Sequence, residues 1–390
     1  MIDRQSAGIF PDKPHTAFRD ANGKLFYEEM FTRGGFDGPF TYFYHRNPIT
    51  PQRETDPNGR GWPMAVAAEG VAASLRRRLY ISDRVSPGGQ MLDRRTPILF
   101  NADVNVLLAH ATESDDAYLA NGDGDELHFL VEGSATLESP CGMLAVNAGD
   151  YVWVPRSLIH RWHVKTPLRV IVFELSGGMM IPREFRNPVG QLRMDAPYTH
   201  RDFRKPAFPI ATPDALLDGP KVLFAKKLGR FSRFELQTPP MDIVGWDGFV
   251  YPFAFPIEKF QPKTGLIHLP PTIHATFASP GCLICSFVPR LTDFHPQAIP
   301  CPYPHSSVDC DEVILYLRGN FTSRRAFVPV VISLHPEGIA RGPHPGAYEA
   351  SIGTTRTDEL AVMMDCFKPL SPTVQAGNLE EPGYHDSWWP

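Results

Sequence analysis

The sequence predicts a mainly β protein with two β-barrel or sandwich domains of the same general kind, an irregular N-terminal segment and few short helices. Its 390 residues exceed the roughly 250–300 at which a single hydrophobic core stops growing. Proline and glycine, at 40 and 31 residues, are abundant for a helical bundle. Short apolar alternations separated by turn residues recur in two parts of the chain, which is typical of antiparallel β domains.

The composition restricts the possible partners and the compartment. Hydrophobic residues make up 43% and charged residues 21%, which are values of a chain that folds in water. The net charge of −5 gives no basic surface for nucleic acid or an anionic membrane, so we expect a small ligand or another protein. Six cysteines are too few for a disulfide scaffold, and residues 1–10 contain no apolar signal-like stretch. We therefore expect a reduced, cytoplasmic protein.

The domain prediction follows the change of pattern along the chain. Residues 1–63 mix aromatic residues with proline and glycine and predict an irregular segment that packs on the domains. Residues 64–181 form the first domain, 182–220 a linker with a short helix over 212–217, and 221–390 the second domain. The strands predicted for the first domain cover 126–131, 135–138, 143–146, 151–154, 161–164 and 169–174. Those predicted for the second cover 266–269, 273–277, 283–288, 312–317, 326–333 and 359–366.

The first domain contains a pattern that resembles the two sequence motifs of the cupin barrel. Glu126 precedes Gly133 by seven residues, and Gly149-Asp150 leads to Pro155 and His160. The usual metal set of that superfamily is two histidines just upstream of the glutamate, the glutamate and a histidine in the second motif.

Only part of this cupin metal set is present in the first domain. Glu126 and His160 match, while Leu119, Ala120, Asn121 and Gly122 stand where the upstream histidines belong. Two protein ligands hold a metal weakly, so we expect this barrel to be metal-free. If anything binds there, His128, His160 and His163 are the groups to examine.

The second domain contains a cluster of histidines with a nearby carboxylate. Six of the 14 histidines are His268, His274, His295, His305, His335 and His344. Two imidazoles and one carboxylate on one face of a metal leave adjacent positions open, as a non-haem Fe(II) centre requires. The candidate ligands are His305, Glu312 and either His335 or His344. Asp309 and Asp311 compete with Glu312 on spacing alone, and His305 reaches Glu312 only if the chain bends between them.

Several segments resemble the homogentisate 1,2-dioxygenase family, particularly its bacterial branch. They are KPHTAFRDANGKLFYEEMF, GFDGPFTYFYHRNPIT, GDYVWVPR, HLPPTIHATF, SFVPR, PYPHSSVDCDEV, SLHPEGIARGPHPGA and TDELAVMMDCFKPL. The resemblance implies two cupin-like domains, Fe(II) in the second, and a homo-oligomer built from trimers, either a trimer or a hexamer. It places the family's first iron-binding histidine at His305, its glutamate at Glu312 and its acid/base histidine at His268.

Two residues depart from the family pattern. The third iron ligand is usually a histidine at the position of Arg341, and arginine cannot bind iron. We therefore expect His344 to serve as the third ligand, with His335 as the second choice. Family members also commonly carry a substrate-contacting tyrosine where this chain has Phe321, which leaves the identity of the substrate open.

The reaction implied by the resemblance is the opening of a hydroquinone-type aromatic acid by O2. For the family this is conversion of homogentisate to maleylacetoacetate in tyrosine and phenylalanine degradation. His268 would move the phenol proton, His274 would assist or orient it, and Tyr303 or Arg318 would meet the substrate. Arg341 is a further candidate for the substrate carboxylate. The alternatives are cleavage of a related hydroquinone or gentisate-like acid, and a cupin that binds a small acid without turnover.

Overall fold

The computed structural model describes residues 2–56, 62–209, 221–306, 308–321, 323 and 330–389. The short helix expected over 212–217, and residues 326–329 of one predicted strand, lie outside these ranges. Within them the chain is mainly β, which confirms the predicted fold class, and its helices are short. None of the helices in the described part of the chain is long and apolar enough to span a membrane.

The elements within the described ranges are as follows. The first twelve strands are β1 (Gln5–Gly8), β2 (Tyr27–Thr32), β3 (Phe40–His45), β4 (Gln52–Asp56), β5 (Arg78–Ile81), β6 (Arg95–Phe100), β7 (Val104–Ala111), β8 (Tyr118–Asn121), β9 (Asp125–Ser139), β10 (Gly142–Asn147), β11 (Asp150–Val154) and β12 (Arg161–Leu175). The others are β13 (Lys221–Lys227), β14 (Arg230–Leu236), β15 (Ile243–Gly248), β16 (Phe253–Pro256), β17 (Ala275–Ser279), β18 (Cys282–Phe287), β19 (Arg290–Leu291), β20 (Asp311–Arg318), β21 (Val331–His335), β22 (Arg356–Thr357), β23 (Leu360–Cys366) and β24 (Ser371–Pro372). The α-helix α1 is Ala347–Ala350, and 3₁₀ turns cover Gly70–Ala73, Ser82–Arg84, Arg183–Phe185, His200–Asp202, Ile257–Lys259, Pro271–His274, Gln375–Asn378 and Tyr384–Trp388.

Two large sheets form the centre of the fold. The larger has the strand order β16-β11-β9-β12-β7-β6-β24, with β10 paired to the far half of the long strand β9. The second has the order β17-β18-β23-β20-β21-β5. Two four-stranded sheets, β1-β15-β3-β2 and β4-β14-β13-β8, complete the architecture together with the short pair β19-β22.

The sheets combine strands from both predicted domains. Strand β5 comes from the predicted first domain but pairs with β21 of the six-stranded sheet. In the other direction, β16 pairs with β11 and β24 pairs with β6. Because pairing partners so distant in sequence leave no local signal, strand patterns cannot predict where the chain crosses between the two halves. The division at residues 182–220 stays a prediction.

The faces of the large sheet bury different cores. Along β12, Ile171 and Phe173 pack with residues of the six-stranded sheet, among them Val313 and Leu334. Val170 and Val172, on the opposite face, belong to a separate core that includes residues of the four-stranded sheets. A strand that is buried on both faces has a continuous run of apolar residues, as β12 has in RVIVFEL. The large sheet is therefore the middle layer of the molecule.

Two local expectations differ from the structure. Residues 266–269 form no strand: Leu266 and Ile267 are 70% and 78% exposed, and the segment is followed by Pro270 and Pro271, which cannot donate backbone hydrogen bonds. The aromatic part of the first 63 residues is less irregular than predicted, because β3 is paired on both sides, with β2 and β15. All six cysteines are buried free thiols.

Candidate metal centre and aromatic pocket

Alternation along β20 and β23 separates a core face of the six-stranded sheet from an outer face. Val313 and Leu315 lie in the central core. Glu312, Ile314 and Tyr316 point the other way because successive side chains of a strand face opposite sides. On β23, the neighbouring strand, Ala361, Met363 and Asp365 share this outer face, since Glu312 pairs with Asp365 and Ile314 with Met363. The candidate site is built on this outer face.

Glu312 lies between two of the predicted histidines. Its Oε1 is 2.7 Å from Nδ1 of His335, the residue opposite it on β21. Its Oε2 is 4.0 Å from Nε2 of His305. The bend that the sequence required between His305 and Glu312 is present at Asp309, whose φ of +52° lies in the left-handed region. Two imidazoles and one carboxylate therefore converge on the outer face.

Asp311, the competing carboxylate, has a different environment from Glu312. It is 2% exposed and accepts the backbone N–H groups of Glu337 and Leu370 at 2.8 and 2.7 Å. These bonds join β20 to the segments that follow β21 and β23. Asp311 is therefore a structural hydrogen-bond acceptor. It lies on the core face because it is the neighbour of Glu312 in the strand, and successive side chains of a strand face opposite sides.

Arg341 lies beside the histidines. Its guanidinium is buried, with Nη1 donating to the carbonyl of Cys310 at 2.7 Å and Nη2 approaching Cys310 Sγ at 3.2 Å. Its Nε donates to Nε2 of His305 at 3.1 Å. A permanent cation is therefore in direct contact with one of the two candidate imidazoles.

His344 makes a different set of contacts. Its ring stacks on Trp388 at 4.0 Å between centroids, and its Nε2 is 2.9 Å from the hydroxyl of Ser387. Trp388 also lies under the guanidinium of Arg77 at 4.5 Å. Trp388 is thus packed against the protein, while its neighbour Trp389 is 84% exposed. The contacts of His344 favour a role in holding the C-terminal segment.

Asp365 was not singled out from the sequence. It lies beside Glu312 on the outer face, where burial raises the pKa of Asp365 to about 7 and the charge of Glu312 adds to that rise. The sequence did contain a signal for Asp365, since it is the acidic residue of the apolar strand LAVMMDC. A charged side chain in such a strand usually has a polar partner, which points to a site. Together with Arg341, it gives the apolar face a polar end.

The outer face borders a cavity of about 410 Å³, called the site cavity here. His305, Glu312, Arg341 and Asp365 line its polar part. Its apolar walls include Leu283, Phe287, Ile314, Tyr316, Phe321 and Met363. Tyr303 also lines it, and Phe321 stands edge-on to Tyr316 at 4.8 Å between ring centroids. A mostly apolar cavity with convergent polar groups at one end suits a small apolar ligand that carries a polar group.

The remaining predicted residues lie around the site cavity. His268 is exposed, and its ring centroid is 5.4 Å from that of Tyr303. His274 is 4% exposed and packs on Phe287, and burial, with the charge of Arg290, lowers its pKa well below the usual value. His268 and His274 both line a smaller pocket of about 110 Å³.

Arg318 lies at the end of β20, where its guanidinium donates to Glu258 at 2.6 Å. Its side chain is 56% exposed. It is not among the residues that line the site cavity. An exposed ion pair of this kind contributes little to stability, and the guanidinium can leave it readily.

The chemistry of the site fits Fe(II) in its donor set but not in its present arrangement. His305, Glu312 and His335 supply the two imidazoles and one carboxylate of a facial triad. No group of three His, Cys, Asp or Glu side chains in the described ranges is spaced to hold a metal ion as it stands. In addition, the hydrogen bond from Arg341 occupies the Nε2 atom of His305, a ring nitrogen that a metal would need.

The matching cluster of the first domain is organised around another arginine. Arg95 donates to Glu126 at 2.6 Å, and His128 Nε2 is 2.9 Å from the same carboxylate. Burial alone would raise the pKa of Glu126, but the charge of Arg95 and the bond from His128 hold it well below its usual range. The guanidinium of Arg95 also stacks on Trp62 at 4.1 Å. A cation thus already neutralises Glu126, the glutamate of the cupin-like metal set.

The other two histidines of that cluster bond to protein groups. His160 Nδ1 donates to the carbonyl of Leu158 at 2.9 Å, and burial lowers the pKa of His160 to about 4. His163 Nε2 is 2.7 Å from Glu138 on the neighbouring strand β9.

We expect Glu126→Ala to destabilise the fold without changing metal content. Removing one partner of a buried ion pair leaves the Arg95 charge uncompensated, which typically costs about 3–5 kcal/mol. Urea unfolding and metal analysis of the same preparation check this. Glu132→Ala, an exposed position on the same strand, is the control. A loss of bound metal in Glu126→Ala at unchanged stability would contradict a structural role.

Comparison with known proteins supplies relatives along the whole chain. Residues 96–257 match the family profile described as homogentisate 1,2-dioxygenase N-terminal. The chain is 33% identical over 392 residues to a Saccharolobus solfataricus protein named "Putative dioxygenase SSO1533", with 100% of both chains covered. It is 27% identical over 290 residues to the homogentisate 1,2-dioxygenase of Bradyrhizobium diazoefficiens. That match covers 70% of this chain but 63% of the enzyme, so it spans less than two thirds of the relative's length.

Among solved structures, a cupin 2 conserved barrel domain protein from Leptotrichia buccalis aligns with 70% of this chain and 88% of its own. Its sequence identity is 10% and its TM-score 0.32.

Proposed function

This chain belongs to the homogentisate 1,2-dioxygenase family, and we propose that it is an Fe(II)-dependent dioxygenase that opens the ring of a hydroquinone-type aromatic acid. Homogentisate is the first substrate to test, because enzymes that act on it are among the relatives. The observation that carries the proposal is that His305 and His335 both face the carboxylate of Glu312, and that His305 and Glu312 line the polar end of the site cavity. The expected trimer or hexamer and the cytoplasmic location stay predictions.

The metal would be held by His305, Glu312 and His335, and it would supply the one-electron steps that let O2 react with a closed-shell phenol. The protein's part is to position the ring and to exclude water. Ile314 and Met363 would offer an apolar surface to one face of the substrate ring. Phe321 forms part of the cavity wall at the position where the family commonly carries a tyrosine, so the hydroxyl of that tyrosine is absent. Binding the ring among these side chains aligns it with the polar end of the cavity.

Proton transfer is assigned to His268. The centroid of its exposed imidazole is 5.4 Å from that of Tyr303, which lines the site cavity, so His268 would act on a phenol bound beside Tyr303. An imidazole can accept and return a proton near neutral pH. Tyr303, which lines the site cavity, would offer a hydroxyl to the substrate. Arg318 pairs with Glu258 outside the lining of this cavity, so its contact with a substrate carboxylate stays a prediction. His274, neutral and packed on Phe287, would act by positioning.

The substrate test uses protein loaded anaerobically with Fe(II) and an oxygen electrode. We expect O2 uptake with homogentisate, and none from the same protein loaded with Zn(II), which has no redox chemistry. Faster uptake with gentisate or another hydroquinone acid would support the related-substrate alternative. That alternative is favoured by Phe321, which removes a hydroxyl from the wall of the cavity.

A second candidate function is binding of a small acid without turnover. The hydrogen bond between Arg341 and His305 favours it, because a buried cation beside the imidazoles attracts a carboxylate. Calorimetric binding of homogentisate to Fe(II)-loaded protein with no O2 uptake would establish this function instead of the dioxygenase.

We expect His335→Ala to lose tightly bound Fe(II) and His344→Ala to keep it. His335 contacts Glu312 directly, whereas His344 stacks on Trp388, so the second change should lower only the melting temperature. Metal analysis after desalting, with melting temperatures, measures both effects. The reverse outcome would make His344 the third ligand, as the sequence analysis expected.

A further inference from the structure

The hydrogen bonds of His305 determine which of its ring nitrogens is available to a metal. Nδ1 is 3.0 Å from the carbonyl of Tyr303, and a carbonyl only accepts, so Nδ1 carries the proton. In the neutral ring the lone pair is then on Nε2. Nε2 is the atom to which Arg341 Nε donates at 3.1 Å. A single nitrogen lone pair cannot both accept this hydrogen bond and bind a metal ion.

The guanidinium of Arg341 is held in place by contacts other than His305. It is 4% exposed, and Nη1 donates to the carbonyls of Cys310 and His335 at 2.7 and 3.3 Å. The backbones of residues 305 and 341 also exchange two hydrogen bonds of 2.8 and 2.9 Å. If the side chain of Arg341 moved away from His305, it would break the hydrogen bond to His305 and also disturb its bonds to the carbonyls of Cys310 and His335.

The charge of Arg341 has the same sign as that of a metal ion. Arginine stays protonated in proteins, and its charge acts on Asp365 and on the acidic end of the site cavity. A divalent cation bound to His305 and Glu312 would enter the site next to this guanidinium. Repulsion between the two cations at short range and low solvent access opposes simultaneous occupancy.

We propose that Arg341 and a divalent metal ion compete for Nε2 of His305, so that this chain holds its metal weakly and releases it readily. The inference rests on the proposed function, because it takes His305 as a ligand of the iron. It assigns to Arg341 a role opposite to that of a ligand: the guanidinium stabilises the metal-free state of the site.

The test measures metal affinity in Arg341→Met and Arg341→Ala by anaerobic titration with Fe(II), and metal release to a chelator. Met keeps most of the side-chain volume without donors or charge, and Ala removes the stem as well. Both variants should bind Fe(II) about 10- to 100-fold more tightly than the unchanged protein, the range expected for loss of one charged hydrogen bond. Melting temperatures verify that each variant is folded.

Arg356→Ala is the matched control, since it removes the same charge from an exposed position of the same half of the chain. Its affinity for Fe(II) should equal that of the unchanged protein. If the unchanged protein binds Fe(II) and both Arg341 variants bind it no more tightly, the competition is refuted while the proposed iron site stands. If none of the four proteins binds Fe(II), the proposed function is refuted and the competition with it.

Discussion

Replacing Glu312 by alanine is expected to abolish O2 uptake and to remove tightly bound Fe(II). Glu312 is the carboxylate between His305 and His335, so without it the two imidazoles lose the acidic group that both of them face. Its loss should weaken metal binding by more than the 10–100-fold typical of a residue that only supports a ligand. Fe(II) titration and the oxygen electrode measure the two effects on one preparation.

Asp311→Ala is the comparison that tests the assignment of Glu312. Asp311 faces the core, where its carboxylate accepts the backbone N–H groups of Glu337 and Leu370. Leaving both donors unpaired should cost about 2–6 kcal/mol, at ~1–3 kcal/mol for each buried group. The folded fraction should still bind iron and turn over at the normal rate. Iron loss in Asp311→Ala with iron retained in Glu312→Ala would move the ligand to Asp311.

The periodicity of the strands allowed part of this site to be predicted. Apolar alternation located β20 and β23 within a residue or so of their observed bounds. Because neighbours in a strand face opposite sides, the same pattern separates Glu312 from Asp311 once the core face is known. Which face is the core depends on the large sheet packed against it, and that contact involves residues far away in sequence, such as Phe129 and Phe173.

The contacts of the histidines could not be predicted from the sequence either, because they also join residues that are far apart in the chain. His335 and Glu312 meet because β21 pairs with β20 in a particular register, and a shift of one residue would turn His335 to the other face. The pairing of β5 with β21 and the stacking of Trp388 on His344 join parts of the chain that are far apart in sequence. Composition and spacing carry no information about such partners, so His344 and His335 could not be ranked by their surroundings.

His268→Ala is expected to lower turnover roughly 10²–10⁴-fold, the range typical for loss of a general acid or base. The three proposed metal ligands remain in this variant, so its Fe(II) content should be unchanged. His268 is exposed and contacts Tyr303 through its ring, and no hydrogen bond of the fold described here depends on its side chain. The melting temperature should therefore change little.

His295→Ala is the matched control for His268→Ala, because it removes another exposed imidazole from the same half of the chain. Its turnover per bound iron should be normal. Turnover of His268→Ala should also fall less at high pH, where hydroxide in solution can take the phenol proton in place of the imidazole. A normal turnover per bound iron in His268→Ala would end the assignment of a proton-transfer role. A lower melting temperature with a normal rate would make His268 a packing residue beside Tyr303.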